Sequence, residues 1–435
     1  MNSKIKFIII LAVFVSTLGF AKGAFAATAI YRSVGPSATS ALATGASNGM
    51  TIASSVATFA STDLPTDVGV GDAIQYDSDD NGSIDSIIFI HARGGARSFT
   101  VKKADGSAPP DMATADLNWS LYRAYVSLYN SERGNENDSL DNAVEDFDNW
   151  DGVGDYTDTD EVGRDLAANN EQWNIACYAS GTTADSTAVT IDGWVTGEQN
   201  YIKIYTPVSS TEVGMSQRHN GKWDDGKYRI ERDGPIITLL SKNITIEGLQ
   251  IYLTGSNLDD PIHTSGASDG TYHIDSVIIK GLRNSSNMIG GIAVHSSTNV
   301  VMYVSNSIIY NITSSSSARA GLYLSGSTNT MYAYNNTIYG CSYGIQRDAS
   351  GTIVAKNNAV FNNTDDFSGT FSILEYNACD DADCDSGTGN VGLDDAESDW
   401  DTIFENNNNE DVHLFHSDTQ LRDKGTDLSA DVNLP

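Results

Sequence analysis

Between Asn299 and Asn363 the chain repeats itself, and a repeat of this length leaves few folds open. Tyr303-Val-Ser-Asn-Ser-Ile-Ile-Tyr-Asn311 is matched 29 residues later by Tyr332-Ala-Tyr-Asn-Asn-Thr-Ile-Tyr-Gly340, and 22 residues after that by Val354-Ala-Lys-Asn-Asn-Ala-Val-Phe-Asn362. Each copy follows a short glycine-led run, Gly291-Ile-Ala-Val, Gly321-Leu-Tyr-Leu and Gly344-Ile-Gln-Arg, at spacings of 30 and 23 residues. The serine-rich run from Ser314 to Ala320 accounts for the longer first spacing, so the underlying period is about 22 to 23 residues, within the range of solenoid repeats.

The repeating runs are β-branched or aromatic and too short for helices, with Gly, Asn or Ser between them. The same texture extends backwards through Thr271 to Lys280, Asn243 to Tyr252 and Ile236 to Leu240, to Asn200-Tyr-Ile-Lys-Ile and Ala188-Val-Thr-Ile-Asp-Gly-Trp. Parallel strands ordinarily need helical crossovers. No helical pattern intervenes here, and a chain wound as a parallel β-helix is the architecture that dispenses with them. Ile246, Ile251, Ile278, Ile308, Ile338 and Val360 are expected to point inward and stack. Asn306, Asn336 and Asn358 are expected at one corner, hydrogen-bonding up and down the column.

The rest of the chain divides around this solenoid. Lys4 and Lys6, the apolar run Phe7 to Leu18 and Ala24-Phe25-Ala26 form a secretory leader over 1–26, shorter than the roughly 20 apolar residues a membrane span needs. A small β-rich unit is expected over 27–125, an acidic loop or linker over 126–170, the β-helix over 171–395 and a closing segment over 396–435. With 57 acidic against 25 basic residues the formal net charge is −32, which repels nucleic acid and anionic membranes. It suits calcium or a neutral or cationic partner. Of the four cysteines, Cys379 and Cys384 are spaced to close a short polar loop in an exported protein, whereas Cys177 and Cys341 sit among apolar residues as buried thiols.

One segment of the first unit copies the start of a calcium loop. In Asp77-Ser-Asp-Asp-Asn-Gly-Ser-Ile-Asp85, oxygen ligands would come from Asp77, Asp79, Asn81, the Ser83 carbonyl and Asp85, with Gly82 at the sharp turn. Ile88 stands where the bidentate Glu of such a loop belongs, and the flanks read as strands, so the alternative is a plain hairpin turn. The stretch 141–165, with ten acids in 25 residues, reads as a solvated loop that could also attract cations.

The repeats Asn-Ser-Ile-Ile-Tyr-Asn, Asn-Asn-Thr-Ile-Tyr-Gly and Asn-Asn-Ala-Val-Phe-Asn resemble the exported right-handed parallel β-helix proteins, a class that includes pectate lyases, polygalacturonases, alginate and chondroitin lyases and surface proteins. The resemblance covers about 190–395. The tail Asp411-Val-His-Leu-Phe-His to Gly425-Thr-Asp resembles a closing segment carried by bacterial members. The resemblance implies a right-handed parallel β-helix and leaves activity open; with the β-rich unit read over 27–125, the expected fold is all-β, a right-handed parallel β-helix preceded by a small β-rich N-terminal domain.

Lyases on such a scaffold need carboxylates holding calcium and an Arg or Lys to take a proton. The candidate for such a polar site is Gln217 to Lys227: Arg218, His219 and Lys222 form a basic knot, Trp223 is a platform for a sugar ring, and Asp224 and Asp225 are cation ligands. The alternative is a turn whose charges satisfy one another. A second candidate is the column His295, Ser325 and Asp348, beside Arg347, four residues on from the leading glycines. Tyr303, Tyr332 and Tyr334 are candidates for glycan contact. The leading expectation is a secreted, non-catalytic β-helix that binds an extracellular or cell-surface polysaccharide, or serves as an envelope or adhesive component. The alternatives are a lyase or hydrolase acting on an acidic polysaccharide, and a calcium-stabilised structural module.

Overall fold

Short runs such as Val189–Ile191, Ile244–Glu247 and Thr271–Asp275 alternate buried and more exposed residues, as strands packed on one face must. Stacked in parallel, such strands build a parallel β-helix in this computed structural model, which is 42% strand and 4% helix. The structure describes residues 26–148, 163–255, 260–281, 290–295, 297–313, 320–348, 350–380, 382–393, 402–406, 410–429 and 431. The leader therefore lies outside the described residues, apart from Ala26.

Three parallel sheets form the walls of the rod. Among the described residues, sheet I has nine strands, sheet II eight and sheet III seven. One coil runs from Thr271–Asp275 in sheet I through Ile278–Lys280 in sheet II to Gly290–His295 in sheet III, and re-enters sheet I at Val301–Ser305. Ile251, Ile279, Ile309, Ile338 and Val360 stand in register and are completely buried along one inner wall. Ile278 and Ile308, expected inside, are one residue out of phase. In a strand that turns them to the opposite face, where they pack beneath the C-terminal segment with Phe404 and Leu414.

The corner between sheets I and II carries two asparagine columns rather than the single expected one. Asn306, Asn335 and Asn357 adopt left-handed backbone, with φ of 53°, 57° and 59°, which asparagine tolerates well. The next residue in each later coil is buried: Asn336 donates to Asn358 Oδ1 at 3.0 Å and Asn358 to Asn377 Oδ1 at 2.9 Å, while Ser307 N–H donates to Asn336 Oδ1 at 3.1 Å. Asn306 thus belongs with Asn335 and Asn357, and Asn336 with Asn358.

The rod begins earlier than 171. Strand Thr28–Val34 pairs in parallel with Glu171–Cys177 as the first member of sheet I. An eight-stranded, largely antiparallel sheet spanning Ala43 to Tyr122 folds between them around its own core of Ile52, Phe59, Ile88, Phe99 and Trp119. Buried ion pairs hold these parts together: Arg123, just past the antiparallel sheet, pairs with Asp72 at 2.7 Å, and Arg32 of the first rod strand pairs with Asp148 of the acidic stretch, whose carboxylate also accepts from Tyr125 at 2.5 Å. Val144 and Asp148 are buried, which anchors the described start of the acidic stretch on the rod, while Asp141 and Asp146 remain exposed to solvent. Cys379 and Cys384 are bonded, with Cα atoms 5.9 Å apart, and Cys177 and Cys341 are buried free thiols.

Candidate functional site

The outer face of sheet I presents its side chains as a grid, because parallel strands in register place equivalent residues directly above one another. One row reads Lys203, Thr245, His273, Tyr303, Tyr332, Val354; the next reads Tyr205, Glu247, Asp275, Ser305, Tyr334, Lys356. Within the first row His273 stacks on Tyr303 at 4.6 Å, and Tyr303 on Tyr332 at 4.9 Å, with ring planes within 7°. Tyr303 consequently has a neighbour on each face and offers a ligand its edge. Tyr334 is buried and packs against Leu428 of the C-terminal segment. Of the three tyrosines read as glycan contacts, none presents a free ring face between its neighbours in the way a single surface aromatic would.

The stack ends at His273, and below it the row steps down to the short Thr245. There the surface opens into a cleft of about 690 Å³. Asn243 and Thr271 border it from the row before, Glu247 and Asp275 from the row after, and Tyr201, Glu198 and Asn306 complete its lining. Burial lowers the His273 pKa, so its imidazole is neutral at neutral pH. Glu247 accepts Lys203 Nζ at 2.7 Å and Arg218 on its other oxygen. Burial opposes its charge, yet these two cations outweigh that effect and hold the carboxyl below its ordinary range. Asp275 accepts only neutral donors among the described residues: Ser276 Oγ and Ser305 Oγ at 2.7 Å and Asn306 Nδ2 at 2.6 Å.

The basic loop 217–227 is spread over a corner rather than gathered at a point. Arg218 reaches Glu247 at the cleft margin. His219 is buried, with Nδ1 accepting Gly221 N–H at 3.1 Å and Nε2 donating to Ser276 O at 2.8 Å. Burial pushes its pKa down to about 4, and with both nitrogens engaged it has no lone pair to offer a substrate proton. Lys222 points to Asp411, 3.4 Å away. Trp223 lies over sheet II, its indole 4.0 Å from the Lys280 ammonium and its N–H donated to Asp225 at 2.8 Å. Platform and base therefore do not share a site, and the loop's cations are met from outside it, Arg218 by Glu247 and Lys222 by Asp411, rather than by the loop's own acids.

The histidine column on sheet III is assembled in part. Ser325 N–H donates to Val294 O and Asp348 N–H to Leu324 O, which sets His295, Ser325 and Asp348 at one height in consecutive coils. His295 Nε2 lies 3.2 Å from the buried Asp260, His263 stacks on the His295 ring at 5.4 Å, and Tyr323 donates to Asp348 at 2.9 Å. Arg347 turns to the Gly351 carbonyl at 3.0 Å.

The loop 77–85 joins strands Ala73–Tyr76 and Ser86–Arg93 of the N-terminal unit. One oxygen each of Asp77, Asp79 and Asp85 lies within 4.8 Å of the others, an oxygen-only set suited to a hard cation. The turn is also closed without one: Asp77 accepts Gly82 N–H at 2.6 Å and Asn81 N–H at 3.2 Å, Asn81 Oδ1 accepts Ser83 N–H at 2.9 Å, and Asp85 accepts Ser78 N–H at 2.9 Å.

The cleft residues Thr245, Glu247, His273 and Asp275 were not singled out by the sequence reading. Their signal was present in aligning Thr245-Ile-Glu247 with His273-Ile-Asp275 and Tyr303-Val-Ser305, where a buried residue is flanked by two outward ones. No family model matches the chain, and comparison with curated proteins and with solved structures gives no significant match.

Proposed function

We propose that this protein is an exported, non-catalytic β-helix that binds a polysaccharide chain in the cleft on sheet I. The observation that carries this is the cleft itself: a surface hollow of about 690 Å³ with an aromatic ring as one wall and hydroxyl, amide and carboxyl groups around it. A sugar ring has an apolar face and a rim of hydroxyls, so it needs this combination of ring contact and convergent hydrogen bonds. The leader-like start of the sequence and the acidic, polar-coated surface support an extracellular or envelope setting. Calcium at Asp77, Asp79 and Asp85 would brace the N-terminal unit and takes no part in binding on this reading.

Isothermal titration of the purified protein against neutral, amine-bearing and uronate oligosaccharides, with pull-down on cell-envelope fractions, tests the proposal. Thr245→Trp, which fills the cleft from its floor, should abolish binding while leaving the melting curve in place. Absence of binding by the unaltered protein to every glycan and envelope fraction would overturn it.

A second reading, a polysaccharide lyase or hydrolase, draws on the Asp260 and His295 pair on sheet III, since a buried carboxylate that fixes an imidazole is an arrangement general bases use. It expects unsaturated ends or reducing ends released from a polysaccharide, and their loss in His295→Ala.

A further inference from the structure

The charges around the cleft say which glycan it takes, and this inference rests on the glycan-binding reading above. We propose that the cleft selects sugar chains carrying free primary ammonium groups, of the glucosamine type, over neutral chains and strongly over uronates.

Three acidic side chains line the hollow: Glu198, Glu247 and Asp275. Glu247 and Asp275 are register partners on adjacent strands of the same face, so their backbones are about 4.8 Å apart. They are treated differently by their surroundings. Lys203 and Arg218 are both committed to Glu247 and together outweigh its charge, so the negative charge of the lining rests on Asp275 and Glu198. Asp275 is oriented instead by two hydroxyls and one amide, which fix its position without cancelling its charge. Hydroxyl and amide donors leave a carboxylate attractive to a cation, whereas a guanidinium would not.

The ring wall does not offset this. The half-buried His273 imidazole is uncharged at neutral pH, because burial lowers its pKa, and so does not repel a cation beside it. An ammonium on a sugar seated against His273 would meet Asp275 in the next row, while the ring's own hydroxyls meet Thr245 and Asn243. The whole-molecule formal charge of −32 adds attraction for a polycationic chain and repulsion of a polyanionic one. A uronate polymer would bring its carboxylates against Asp275 and Glu198, and like charges at such range are strongly unfavourable in a partly dehydrated cleft.

The experiment is titration at physiological ionic strength with three length-matched oligomers: free-amine glucosamine, its N-acetylated counterpart, and an oligogalacturonate. A free polyamine is the fourth arm. The free-amine oligomer should bind about tenfold or more tighter than the N-acetylated one, and the uronate should not bind. Asp275→Asn should erase the amine preference but keep binding of the N-acetylated oligomer. Asp63→Asn, an equal loss of charge on the N-terminal unit, should leave the preference intact. Equal binding of the free-amine and N-acetylated oligomers overturns the inference while the glycan reading stands. Binding of neither, nor of any other glycan, overturns both. A polyamine that binds as tightly as the amine oligomer and loses affinity equally in Asp63→Asn would show attraction to the net charge alone, and would also overturn it.

Discussion

His273 and Tyr303 stack with their ring planes within 4° of parallel and their centroids 4.6 Å apart, the spacing that the underlying strands impose on them. This contact both stiffens the outer face of sheet I and fixes the wall of the cleft. Tyr303→Ala should therefore weaken glycan binding by several-fold although Tyr303 itself has a neighbour on each face, because the His273 ring loses its backing. Each offset aromatic pair contributes about 0.5–1.5 kcal/mol, so loss of the two pairs that flank Tyr303 should lower stability by about 1–3 kcal/mol. Titration calorimetry and urea denaturation on the same samples separate the two effects. Tyr303→Phe should preserve both.

The buried asparagine column should be the most sensitive polar feature of the rod. Asn358 donates to Ala333 O and Asn377 Oδ1, both at 2.9 Å, and accepts from Asn336 N and Nδ2, both at 3.0 Å. Asn358→Ala leaves these partners buried and unsatisfied and should cost about 3–5 kcal/mol. At the neighbouring exposed position Asn335→Gly suits the left-handed backbone equally well and should change stability by less than about 0.5 kcal/mol. Urea midpoints of the two variants, measured side by side, test the contrast between the columns.

Stability should also carry two opposed pH signals. Burial raises Glu132 to about 7, so the folded state holds its proton more tightly than the unfolded chain does. The favourable contribution of that group is complete below pH 4.5 and is lost as pH rises to about 7. Glu132→Gln should then stabilise the protein at pH 8 by about 1–3 kcal/mol and do little at pH 4. His219 has the other sign. With its pKa lowered from 6.5 to about 4, its contribution is complete above 6.5 and is lost as pH falls towards 4. His219→Gln should flatten the acid limb of the melting profile.

Calcium is expected to raise the melting temperature through the 77–85 loop, in proportion to the logarithm of its concentration over the dissociation constant. Chelator should reverse the rise, and Asp77→Asn should remove it. A melting curve identical in millimolar calcium and in chelator would count against metal at this loop. Glycan affinity should not follow calcium, because Asp77, Asp79 and Asp85 lie in the N-terminal unit and none of them lines the cleft.

The period of the repeats, the run of β-branched residues and the lack of helical spacing determined the parallel β-helix, since a strand that buries one face writes its alternation into the chain. The same local rules made the Cys379 to Cys384 bridge readable from five residues of spacing. Register was less legible. Adjacent isoleucines at 278 and 279, and at 308 and 309, satisfy the inward position equally well in sequence, and only the pairing of whole strands decided which of each pair faces the interior of the rod. The paired asparagines 335 and 336 concealed two columns for the same reason. Charge satisfaction was not legible at all: Arg218 looked like a base until the fold brought Glu247 to it from 29 residues away, and Asp275 looked ordinary until the coil above supplied Ser305 and Asn306. Sequence determined the repeating coil because its causes are local. The tertiary structure alone decided the cleft, which exists where Thr245 in one coil lies beneath His273 in the next, a relation set by stacking and by no interaction within either coil.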